Sequence, residues 1–168
     1  MTRKIVRSTL LSATLLVSLA AVARAQDDRI CSTPGLAGEW GYTSTGAFIF
    51  PTGAVPFALV GRLTFDAAGN FSGAQNSSTG GQVGQETIKG TTTVNPDCTG
   101  TLNVNVYNQL GTLLSTSVLA FVIVDNGREV GGIFTSQMLA NGRNGPTVAT
   151  LNAKRQFPRS GSEQKDKD

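Results

Sequence analysis

The sequence predicts an all-β fold: eight antiparallel strands in an up-and-down meander, closed into a barrel. Three observations carry this expectation. Helical periodicity is hard to find after residue 26. Runs rich in Thr, Val, Phe and Ile, about eight to twelve residues long, recur in its place, each closed by a Gly, Asn or Asp turn. The connections are nearly all hairpin-sized, so neighbours in sequence pair antiparallel. A meander of eight bent strands either closes into one barrel or splits into a β-sandwich. The barrel is preferred, because closure removes the edges that a long meander would leave open to aggregation.

The runs follow in order. One short turn is expected near Pro34, ahead of the first run at 40–50, which ends at Pro51-Thr52-Gly53. The second covers 57–66 and turns at Ala68-Gly69-Asn70; the third is short, 71–75, and leads into a polar, flexible stretch at 76–81. The fourth, 85–94, closes through Asn95 to Gly100, and the fifth, 101–107, turns at Gln109-Leu110-Gly111. In the fifth, Leu102, Val104 and Val106 alternate with Thr101, Asn103, Asn105 and Tyr107, which gives one wet face. The sixth, 113–124, is continuously apolar from Leu119 to Val124, so it is expected to be covered on both faces or to face a cavity. It closes at Asp125-Asn126-Gly127, where Asn-Gly is a strong hairpin sequence because both residues accept positive φ. The seventh, 129–139, and the eighth, 148–157, complete the set.

The flanks have a different character. Arg3, Lys4 and Arg7 precede an uncharged apolar stretch from Leu10 to Ala23, and Ala23-Arg24-Ala25 supplies the small-x-small pattern of a signal-peptidase site. Residues 1–25 therefore read as an export signal, too short in its apolar core for a spanning helix of about 20 residues. Residues 26–157 form the single barrel domain, and 158–168 a charged tail with nothing to bury. Four of the 14 basic side chains and none of the 11 acids lie in the leader, so the mature chain is close to neutral. No nucleic-acid partner is expected, and no membrane partner after cleavage. The expected location is secreted or periplasmic, and the sequence leaves the oligomeric state open.

Export changes what the two cysteines mean. Cys31 and Cys98 are the only pair, and an oxidising compartment favours a bridge between them. Such a bridge closes a loop of roughly 68 residues, worth about 4 kcal/mol in the chain-entropy model.

Catalytic chemistry finds little support. The chain has no histidine, which removes Ser-His-Asp and Cys-His pairs and every metal site that needs imidazole. Of the acids in the barrel region, Asp66, Asp97, Asp125 and Glu129 fall in or beside turns, where Asp normally holds its own backbone. Glu39 and Glu86 are the plausible inward acids, but nothing in the sequence brings them together as a glycosidase pair. No cofactor and no metal are expected.

Leu36-Ala37-Gly38-Glu39-Trp40 opens the first strand. This Gly-x-Trp resembles the start of the calycins, the lipocalin and avidin-like group of eight-stranded barrels. The resemblance covers residues 36–157 and implies an architecture. Gly38 bends the chain into the sheet, Trp40 plugs the closed end, and Arg155 or Lys154 from the last strand covers the indole. The several tryptophans of an avidin-type biotin site are missing here, so no ligand carries over. More loosely, the chain resembles small exported bacterial proteins of unassigned function. Tyr42, Phe65, Phe121 and Phe134 are candidates to line a pocket, and Phe57 with them. The leading expectation is an exported, non-enzymatic barrel that holds a small apolar or amphipathic ligand. The alternative is a secreted protein-interaction module, such as a protease inhibitor or surface-associated protein, with residues 26–34 as an exposed arm.

Overall fold

A computed structural model describes residues 30–156; the expected leader and the charged tail lie outside the described residues. Eight strands follow one another as β1 (Gly38–Phe50), β2 (Gly53–Phe65), β3 (Asn70–Thr79), β4 (Gln82–Val94), β5 (Thr99–Asn108), β6 (Leu113–Val124), β7 (Glu129–Leu139) and β8 (Thr147–Arg155). Each pairs antiparallel with its sequence neighbour, and β8 returns to β1, closing the barrel. Between Cys31 and Gln156 helix is limited to two 3-10 turns, Pro34–Leu36 and Asp125–Gly127. In the second turn Asn126 and Gly127 both take positive φ (52° and 79°), the conformation that makes Asn-Gly a tight connector.

Two expectations need correction. The stretch read as flexible at 76–81 is mostly strand: Asn76 to Thr79 pair in register with Gln85 to Gln82. Its polarity reflects the polar wall that Ser77 faces, with Ser77 itself buried. Of the two alternatives for the apolar end of β6, cover on both sides does not hold, whereas its inner face does meet a cavity, at Leu119. Leu119, Phe121 and Ile123 point inward, whereas Val122 and Val124 stand outside, 42% and 45% exposed. The remaining runs differ from the strands by a few residues at their ends, and those of β6 and β7 coincide with them.

Two of the four turn acids, Asp66 and Asp97, hold backbone, whereas Asp125 pairs with Arg128 and Glu129 with Lys154. Asp66 Oδ1 accepts from the amides of Ala68 (2.9 Å) and Asn70 (2.8 Å), and its Oδ2 from the Asn70 side chain (2.9 Å). These bonds, the Asn70 side chain first, hold its carboxyl below the usual aspartate range. Asp97 does the same through Thr99, whose hydroxyl donates at 2.6 Å.

Inside, one end of the barrel is filled. Leu36, Trp40, Leu63, Phe65, Leu102, Phe121, Val130, Leu151 and Ala153 leave a void of only about 20 Å³ between them. Close strand approach helps: a Cβ at Gly90 would lie 1.9 Å from the Asn103 carbonyl oxygen and 2.5 Å from Phe71 Cζ. Gly90→Ala is therefore expected to cost about 2–3 kcal/mol by overpacking. Gly131→Ala, whose Cβ meets nothing within 4 Å, should leave the denaturation midpoint nearly unchanged. Equal midpoints for the two variants would contradict this account of the packing.

Candidate functional site

The filled end is closed by the segment before β1. Cys31 is bonded to Cys98, in the turn between β4 and β5, with Cα atoms 4.6 Å apart. Leu36 is buried, and Ile30 packs against the core. Trp40 Nε1 donates to the Leu36 carbonyl at 2.9 Å. Arg155 lies across the indole, its Cζ 4.6 Å from the ring centroid. Its guanidinium donates to the carbonyls of Ala37 (2.7 Å) and Gly35 (2.6 Å), and more weakly to Gly127 (3.3 Å). Desolvation lowers its pKa, yet three carbonyls and a π-face compensate the charge. Lys154, the other basic residue considered for this place, points outward and pairs with Glu129 at 2.6 Å. Residues 30–36 are thus a strap across the barrel end. They are not a free arm.

Beyond the filled layer the barrel is hollow, with a cavity of about 270 Å³. Leu63, Phe71, Ile88, Leu102, Leu119 and Leu151 make its floor, and Phe48, Phe57 and Phe134 stand at the far end. The Phe48 and Phe57 centroids are 4.9 Å apart, and Phe134 meets Phe57 edge-on at 6.2 Å. Tyr42 and Phe134 therefore line this cavity, whereas Phe65 and Phe121 belong to the filled end around Trp40.

One wall is polar, and its geometry follows from strand register. Tyr42, Gly61, Gln75 and Glu86 are partners in one row across β1 to β4. Gly61 carries no side chain, and a Cβ there would lie 2.7 Å from Tyr42 Cε1. The tyrosine ring can therefore cross β2 and donate its hydroxyl hydrogen to Gln75 Oε1. Gln75 Nε2 donates in turn to Glu86 Oε2, and Ser77 Oγ to Glu86 Oε1 at 2.8 Å. Burial, and then the negative charge of Glu86, push the Tyr42 pKa far above the ordinary phenol value, so the hydroxyl remains a donor. On the facing side Ser117 Oγ donates to Gln137 Oε1 at 3.1 Å. Ser44, 2% exposed, also lines the cavity. Among the described residues its hydroxyl is the one buried side-chain polar atom without a hydrogen-bond partner.

Of the two acids expected to point inward, Glu86 does. Glu39 sits on the outer face, paired with Arg62 at 3.0 Å. The two carboxylates do not converge on one site. The described residues include no group of three or more His, Cys, Asp or Glu side chains placed to hold a metal. No helix among them is long and apolar enough to cross a membrane. A wider hollow of about 920 Å³ lies over Gly41, Val60, Arg62 and Ala74 on the outside, and Tyr42, Gln75 and Glu86 reach it too. It is the more open of the two, with mostly exposed walls; the cavity inside the barrel holds the buried, unsatisfied hydroxyl and is the better site.

Sequence reasoning missed Ser44, Gln75, Ser77 and Gln137. Ser77 lay in the stretch read as flexible. Gln137 is hidden by a register shift against β6, where Val118 pairs with Ser136 and Leu119 with Phe134. That bulge flips the inward parity, so Phe134 and Gln137 both face the cavity.

Fold and site define a small, closed, eight-stranded antiparallel barrel with an amphipathic interior. No protein-family model and no curated protein matches the chain. Among solved structures it is similar to a redesigned β-barrel, mFAP1, bound to DFHBI, at 16% identity over 74% of this chain and 99% of that one, with a TM-score of 0.46. It is also similar to a de novo designed fluorescence-activating β-barrel, at 12% identity over 71% of this chain and 93% of that one, with a TM-score of 0.42. A further redesigned barrel, mFAP0, bound to DFHBI, is 19% identical over 71% and 98%, also at 0.42.

Proposed function

We propose that this protein is an exported, non-enzymatic barrel of the calycin type that holds a small amphipathic ligand inside. One observation carries the reading: a largely apolar cavity of about 270 Å³ whose wall holds a hydrogen-bonded carboxylate and a buried hydroxyl with no protein partner. A side chain left unsatisfied in this way costs roughly 1–3 kcal/mol, which a ligand donor or acceptor would recover. The Trp40–Arg155 stack and the Gly38-x-Trp40 start support the calycin assignment. The alternative of an interaction module loses its main support, since residues 30–34 of its arm are part of the strap.

Native mass spectrometry of protein purified from its own host tests both halves of the proposal. The expected spectrum shows a polypeptide that begins at Gln26, carrying a small added mass. A Ser117→Phe variant, which grows a ring into the cavity, should lose that mass while remaining folded. A bare polypeptide in the wild-type spectrum, taken under conditions that preserve weak complexes, would refute ligand carriage. An intact residue 1 would refute export by cleavage.

A further inference from the structure

We propose that the cavity selects a cationic amphiphile, an amine on a small apolar body whose ammonium group pairs with Glu86. This rests on the reading of the cavity as a ligand site and adds the ligand's charge and chemical class. Glu86 is the one carboxylate in the lining, which contains no lysine or arginine. None of the ion pairs among the described residues includes it. Each of its oxygens accepts one hydrogen bond, from Gln75 and from Ser77, whereas a carboxylate offers about four acceptor sites. The open acceptor sites call for donors from elsewhere.

The surrounding hydrogen bonds all run one way. Tyr42 donates to Gln75, Gln75 to Glu86, and Ser77 to Glu86, so the wall ends in a supported negative charge. An anionic ligand would be repelled by that wall, and a hydrocarbon would leave the carboxylate's open acceptor sites unfilled and the Ser44 hydroxyl without a partner. An ammonium group supplies N–H donors and the missing charge together, in surroundings where charge pairs are stronger than in water. Ser44 belongs to the next row, with Leu59 and Ser77, so its hydroxyl is on the same wall as a second polar contact. Phe48, Phe57 and Phe134 offer ring faces to the apolar body. The volume equals that of roughly nine waters, room for one aromatic ring and a short chain.

Calorimetric titration with 2-phenylethylamine, its near-isostere 2-phenylethanol and the anion 3-phenylpropanoate tests the proposal. The amine should bind at least about tenfold tighter than the alcohol, and the anion weakest. Glu86→Gln should bring the amine down to the alcohol's affinity and leave the alcohol within about twofold. If that variant fails to fold, the wild type decides by ionic strength. A preference that persists at about 0.5 M salt supports an enclosed pair, and one that vanishes there overturns it. Alcohol binding equal to or better than amine binding would overturn the charge selection and leave the ligand site standing. Failure of all three probes to bind would overturn both.

Discussion

Trp40→Ala should lower the stability of the barrel by about 3–5 kcal/mol, the usual penalty for deleting a large buried aromatic. The indole is 1% exposed and sits between its register partners Leu63 and Arg155. Its loss removes more than packing. The Leu36 carbonyl loses its donor, and the Arg155 guanidinium loses the ring it lies across, although its carbonyl partners remain. Trp40→Phe should recover part of the loss, since it keeps a ring under Arg155 but no N–H. Equilibrium denaturation of the three proteins reads this directly. The native wild type should also emit at short wavelength and resist aqueous quenchers. Red-shifted, readily quenched emission, with an unchanged midpoint in Trp40→Ala, would show that the indole does not hold the barrel end.

Cys98→Ser should cost about 2–5 kcal/mol, the range for removing a native disulfide from a small domain. The bridge joins residues 67 positions apart, so its loss frees a long loop in the unfolded chain. The strap then depends on the packing of Ile30 and Leu36, the Thr33 hydroxyl that accepts from the Val94 amide, the Trp40 indole and Arg155. The Cys31→Ser/Cys98→Ser double variant should match the single one closely, because both remove the same bond. Two titratable thiols in unfolded, unreduced wild-type protein, or a single variant as stable as wild type, would contradict this.

Much of the architecture is legible in the sequence because hairpins are local. The Asp125-Asn126-Gly127 turn and the bounds of β6 and β7 need only a short window of residues. Trp40 could be expected at a filled end from its place in the Gly38-x-Trp40 start. The cavity wall is harder, since it is made by register between strands. Tyr42 reaches Gln75 only because Gly61 stands between them, and no local pattern links positions 42, 61, 75 and 86. The polar half of β3 resembles a loop because its inward residues face other polar groups. The continuous apolar run of β6 hides its two faces: alternation still governs it, with Leu119 toward the cavity and Val122 and Val124 partly exposed on the outside.

The floor is built from both ends of the sheet, and this governs when it can form. Arg155 binds the carbonyls of Ala37 and Gly35, 118 and 120 positions earlier. At a synthesis rate of about 5–20 residues per second, roughly 6–24 seconds separate the making of these partners. Throughout that interval β1 lacks its β8 partner and presents an unpaired edge. Pairing between termini also places the barrel among slow-folding topologies, in which closure pays its entropy before any contact rewards it. A nascent chain therefore cannot close the barrel until β8 emerges, and until then any sheet it forms has a β1 edge open to edge-to-edge association.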